Sequence, residues 1–82
     1  MKERVIDVRN VPTTCTSNST LVLVNELRMS ESEGVDVLRV YFNADEIPEG
    51  LIALFLSKFN YAVEEVKALD KKSRLVVARR VK

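Results

Sequence analysis

Two strand-like segments flank a helical one, and this order constrains the fold more than any other feature of the chain. Arg4-Val5-Ile6-Asp7-Val8 is short, β-branched and alternating, which reads as a strand. Val35 to Phe42 is the clearest strand, with Leu38, Val40 and Phe42 pointing one way and Val37, Arg39 and Tyr41 the other. Between them, Leu23, Val24 and Leu27 fall on one helical face, with Leu21 and Val22 beside them. Ser17, Asn18, Ser19 and Thr20 are all good N-cap types, so a helix is expected to start among them. It is expected to run to about Met29, with Ser30 to Gly34 ending it. A strand, a crossover helix and a second strand pack with a right-handed connection.

The second half repeats the alternation of periods. Asn43-Ala44-Asp45-Glu46 reads as a turn, with Asp45 a candidate cap, and Pro48 fits a first helical turn. Leu51, Ile52, Leu54, Phe55 and Phe59 make a strongly apolar helix, and Asn60 suits a left-handed cap. Tyr61 to Leu69 reads as a strand whose alternation slips at Glu64-Glu65, as at a bulge. Asp70-Lys71-Lys72-Ser73 is a hairpin turn, and Arg74 to Val81 is the last strand. The order is therefore β-α-β-α-β-β. The expected fold class is α/β, in detail an α+β two-layer sandwich. A four-stranded mixed sheet carries both helices on one face. Residues 1–82 are expected to form a single domain, because a chain this short builds one core.

Composition narrows the chemistry. Hydrophobic residues are 46% and charged residues 30% of the chain, a globular balance that excludes disorder. There is no histidine, so Ser-His, Cys-His and His-metal arrangements are excluded. The single cysteine cannot form an internal disulfide or a four-cysteine zinc site. No segment reads as a membrane span, and no apolar signal core follows Met1-Lys2-Glu3-Arg4. A cytoplasmic protein with a reduced thiol is the expectation.

Cys15 is the candidate catalytic residue. It stands in the hydroxyl-rich stretch Thr13 to Thr20, just ahead of the expected helix. The first amides of a helix are unpaired donors at the positive end of its dipole. Both effects stabilise a thiolate and lower its pKa. The competing reading is a small apolar residue. Position 18 is Asn and position 21 is Leu, so neither a Cys-x-x-Cys pair nor a Cys-x5-Arg phosphatase loop is present. A single-cysteine carrier of sulfane sulfur is compatible with what remains. The same hydroxyls could hold an anion at the helix start, or serve only as caps.

Charge is uneven. Residues 61–82 hold seven basic and three acidic side chains, whereas the whole chain has a net charge of +1. Arg74, Arg79 and Arg80 are the candidate partner-binding residues of this basic hairpin, directed at an acidic protein or a phosphate. The competing reading is a solvated basic edge that resists aggregation. Asp7 is placed to accept backbone hydrogen bonds from the loop that follows it, and the remaining acids show no metal-loop spacing.

The pattern resembles the SirA/TusA/YedF family of small sulfur-carrier proteins. Ile6-Asp7-Val8-Arg9-Asn10 resembles the family's opening strand, with Asn10 in place of its Gly. Gly34 matches the Gly before the second strand. Asn43-Ala44-Asp45-Glu46-Ile47-Pro48 resembles the polar turn before the second helix, and Phe59-Asn60-Tyr61-Ala62-Val63 the junction into the third strand. The resemblance spans nearly the whole chain. The family's Cys-Pro-x-Pro is degenerate here: Thr13 occupies the position of its cysteine, and Thr16, Ser17 and Asn18 follow Cys15. A loop longer by two residues brings Cys15 to the helix start. The resemblance implies a relay protein, not an independent enzyme. It would carry persulfide sulfur on Cys15 between donor and acceptor proteins and need no cofactor. Two alternatives stand beside it. One is a binding or regulatory module that keeps the fold without thiol chemistry. The other rests on a resemblance to Alba-type archaeal chromatin proteins in topology and in the basic last strand, Val76 to Lys82, and implies nucleic-acid binding.

Overall fold

Alternation decides which side of each strand enters the core. The structure is a computed structural model that describes residues 2–9 and 18–81. Its elements are β1 (Glu3–Asp7), α1 (Ser19–Glu33), β2 (Val37–Asn43), α2 (Glu49–Lys58), β3 (Tyr61–Ala68) and β4 (Ser73–Arg80). The strands form one sheet in the order β1-β2-β4-β3. β1 runs parallel to β2, and β4 is antiparallel to both β2 and β3. The mixed four-stranded α+β fold expected from the sequence is the one observed.

Pairing register builds the core in rows. Ile6 lies opposite Val40, Val40 opposite Val76, and Val76 opposite Val66. A second row runs Leu38, Ala78, Val63. Leu23 and Leu27 of α1 and Ile52 and Leu56 of α2 join these residues in one buried cluster with Phe42 and Ile47. Both helices therefore cover the same face. Burying a side chain of this size stabilises by about 1.5–3 kcal/mol. The rows end unevenly. Ile6, Val40 and Val76 are fully buried, whereas Val66 is 38% exposed and Val63 39%. Buried residues line β1, β2 and β4, whereas in β3 only Tyr61 is buried.

Local chemistry sets the ends of the elements. Asn18 caps α1 by accepting a 3.0 Å hydrogen bond from the Leu21 amide. The helix continues past Met29 to Glu33, longer than the run of serines and glutamates suggests. Ser30 is fully buried, and its hydroxyl donates to the Glu26 carbonyl at 2.8 Å, which satisfies it inside the helix. Gly34 then stops the helix at φ 73°, with its N–H on Glu31 and the Val35 N–H on Ser30. α2 begins directly after Pro48, whose φ of −62° suits a helix entry. Asp45 is not its cap and pairs with Lys72 at 3.6 Å instead. Asn60 adopts the left-handed conformation, at φ 67°. The irregularity at Glu64-Glu65 is a register shift between Val63 and Glu65.

Candidate functional site

The carboxyl ends of the two parallel strands and the start of α1 meet at one end of the sheet. Open α/β sheets place ligands at such ends. Asp7 closes β1 there. Its carboxylate accepts the Arg9 amide at 3.0 Å and the Arg9 guanidinium at 3.0 and 2.7 Å. The Arg9 side-chain hydrogen bond is the main reason why the Asp7 carboxyl titrates below its ordinary range. The same guanidinium lies 4.9 Å from the centre of the Tyr41 ring, a cation–π distance. Asn43, the last residue of β2, donates to the Arg9 carbonyl at 3.0 Å and accepts from the Ser73 hydroxyl at 3.2 Å. Arg9, just past the end of β1, is thus tied to β2, and Asn43 ties β2 in turn to β4.

At the start of α1 lies a cavity of about 460 Å³ lined by Asn18, Ser19, Thr20, Leu21, Glu46 and Ile47. Asn18 occupies the Leu21 amide with its side chain and accepts the Val22 amide on its carbonyl at 3.1 Å. Ser19 is buried, and its hydroxyl donates to the Glu46 carboxylate at 3.5 Å across the cavity. An acid therefore already sits beside the positive end of the α1 dipole.

Cys15 lies outside the described residues, as do Thr13, Thr16 and Ser17. The three arginines of the closing hairpin are spread over different surroundings. Arg74 donates to the Asp70 carbonyl at 2.9 Å and the Ser73 carbonyl at 3.1 Å, stiffening the turn. Arg79 is on the open face of the sheet and pairs with Glu64 at 2.8 Å. Arg80 is on the helix face, and its Nε is buried with no hydrogen-bond partner among the described residues. Strand parity already separates Arg79 from Arg80 in the sequence. The cluster of Asp7, Arg9 and Tyr41 was not legible there, because it depends on the parallel pairing of Asp7 with Tyr41.

Among the described residues no group of three or more Cys, Asp or Glu side chains is arranged to hold a metal. No described helix is long and apolar enough to cross a membrane. Comparisons with protein-family models, curated proteins and solved structures find no match to this chain.

Proposed function

We propose that this chain is a small sulfur carrier that works at the α1 end of its sheet, with Cys15 as the group that receives and passes on sulfur. One observation carries the reading. The segment holding Cys15 links the tied-down end of β1 to a capped helix start that borders a cavity. Unpaired amides at a helix start favour a thiolate in their reach. In the transfer, the Cys15 thiolate attacks the outer sulfur of a donor protein's persulfide. The donor leaves as a thiolate, and Cys15 becomes the persulfide. An acceptor thiolate attacks that outer sulfur in turn and releases the Cys15 thiolate. The test is the alkylation rate of Cys15 across pH, with persulfide detection after exposure to a persulfide donor. A thiol pKa clearly below about 8.5 and a persulfide lost in Cys15→Ser are expected. An ordinary pKa with no persulfide would remove the reading.

Glu46 favours a second reading, a binding module without thiol chemistry. Its carboxylate faces the α1 start and opposes a second negative charge there. Such a module would capture its partner equally well with Cys15→Ser. Nucleic-acid binding draws less support, because Arg79 is already paired with Glu64 and Glu65 lies beside it on β3.

A further inference from the structure

We infer that β3 is a self-association edge, pairing antiparallel with β3 of a second copy about a two-fold axis at Val66. Three features of the strand lead there.

First, β3 is an edge strand, and its backbone is free on one side among the described residues. The Leu69 amide donates to the Ser73 carbonyl of β4. Alternation then turns Lys67 toward β4 and turns the Val66 and Ala68 backbone groups to the free edge. Two copies meeting at Val66 exchange the N–H and C=O of that residue in both directions.

Second, β3 is exposed along its length after Tyr61. Val66 and Val63 continue the buried rows of the core, yet each is more than a third exposed. A second sheet edge placed beside Val66 extends the row Ile6-Val40-Val76-Val66 into its mate. The opposite edge is built differently. There Ile6 is buried, and Arg4 is held to Glu26 at 3.0 Å and Glu33 at 3.2 Å along the strand.

Third, charge selects the occupant and the register. Glu65 and Lys67 flank Val66 on the open face, paired with each other at 3.5 Å and both more than half exposed. Charged edges normally discourage pairing. Here an antiparallel mate centred on Val66 sets Glu65 opposite the mate's Lys67, and Lys67 opposite its Glu65. A parallel mate in register sets Glu against Glu and Lys against Lys, which is unfavourable. The bulge at Glu64-Glu65 ends the regular ladder on one side, so the contact is short and the dimer weak.

The test is sedimentation of the full chain over a concentration series, with charge reversals at exposed positions that leave the core intact. Concentration-dependent dimerisation is expected below about 1 mM. Lys67→Glu and Glu65→Lys should each weaken it about tenfold, since each sets like charges opposite one another. Mixing the two variants should restore association as a heterodimer, and the double variant Glu65→Lys/Lys67→Glu should restore the homodimer. A chain that stays monomeric to about 1 mM would overturn the inference. So would reversals without effect on dimerisation. Loss of dimer on Arg39→Glu with no effect at 65 and 67 would assign association to the open sheet face and equally overturn it.

Discussion

The Tyr61 hydroxyl donates a 2.7 Å hydrogen bond to the Val35 carbonyl, and both residues are buried. The bond joins the first residue of the outermost strand to the segment between α1 and β2. Tyr61→Phe keeps the ring but leaves that carbonyl without its partner. A loss of about 1–3 kcal/mol in urea unfolding is expected. Burial raises the Tyr61 phenol above its ordinary value of 10.0. Its contribution is complete below 10.0 and is lost as pH rises through the raised value, because the unfolded chain ionises first. The alkaline stability loss of the wild type should therefore be smaller in the Phe variant.

Gly34 and Asn60 carry the two positive φ angles among the described residues, 73° and 67°. A Cβ on Gly34 would stand 3.2 Å from a terminal nitrogen of Arg80, so backbone and neighbour both resist it. Gly34→Ala is expected to cost about 1–2 kcal/mol. Asn60 offsets its strain by donating to Glu31 at 2.6 Å. Asn60→Ala loses that bond and keeps the strain, whereas Asn60→Gly loses the bond and relieves the strain. Thermal unfolding should rank the wild type first, Gly next and Ala last.

The same two residues mark how far the sequence could be read. Both suit left-handed backbone by residue type alone, so the turns at Gly34 and Asn60 were visible. Leu38, Val40 and Phe42 announced the inner face of β2, since period two admits one assignment. The length of α1 was not visible. Ser30 has the chemistry of a helix end, and only its burial and its bond to Glu26 keep it inside. The grouping of Asp7, Arg9 and Tyr41 was hidden for a different reason, because no local pattern encodes which strands pair. The dispersal of Arg74, Arg79 and Arg80 was half visible, through parity, while their partners were not.

The turn between β3 and β4 should respond to acid. The Asp70 carboxylate accepts the Ser73 amide at 2.7 Å and the Lys72 amide at 2.8 Å. These backbone bonds hold its pKa below the ordinary 3.8. A lowered folded-state pKa stabilises fully above 3.8 and fades as pH falls through the lowered value. Amide shifts of Lys72 and Ser73 should therefore move together below pH 3.8 in the wild type. Asp70→Asn should show no such step in an NMR titration, and a persistent step would assign the transition to another acid.

Glu46 offers a direct test of where Cys15 acts. Its carboxylate lies 3.5 Å from the Ser19 hydroxyl, within the cavity at the α1 start. If the Cys15 thiolate forms in that cavity, Glu46 opposes it by like charge. Glu46→Gln then lowers the thiol pKa and speeds alkylation at neutral pH about two- to tenfold. Because Glu46 is exposed, the substitution should leave stability within about 0.5 kcal/mol. A rate unchanged by Glu46→Gln would mean that the thiol reacts away from the α1 start, and the helix amides would then have no part in its chemistry.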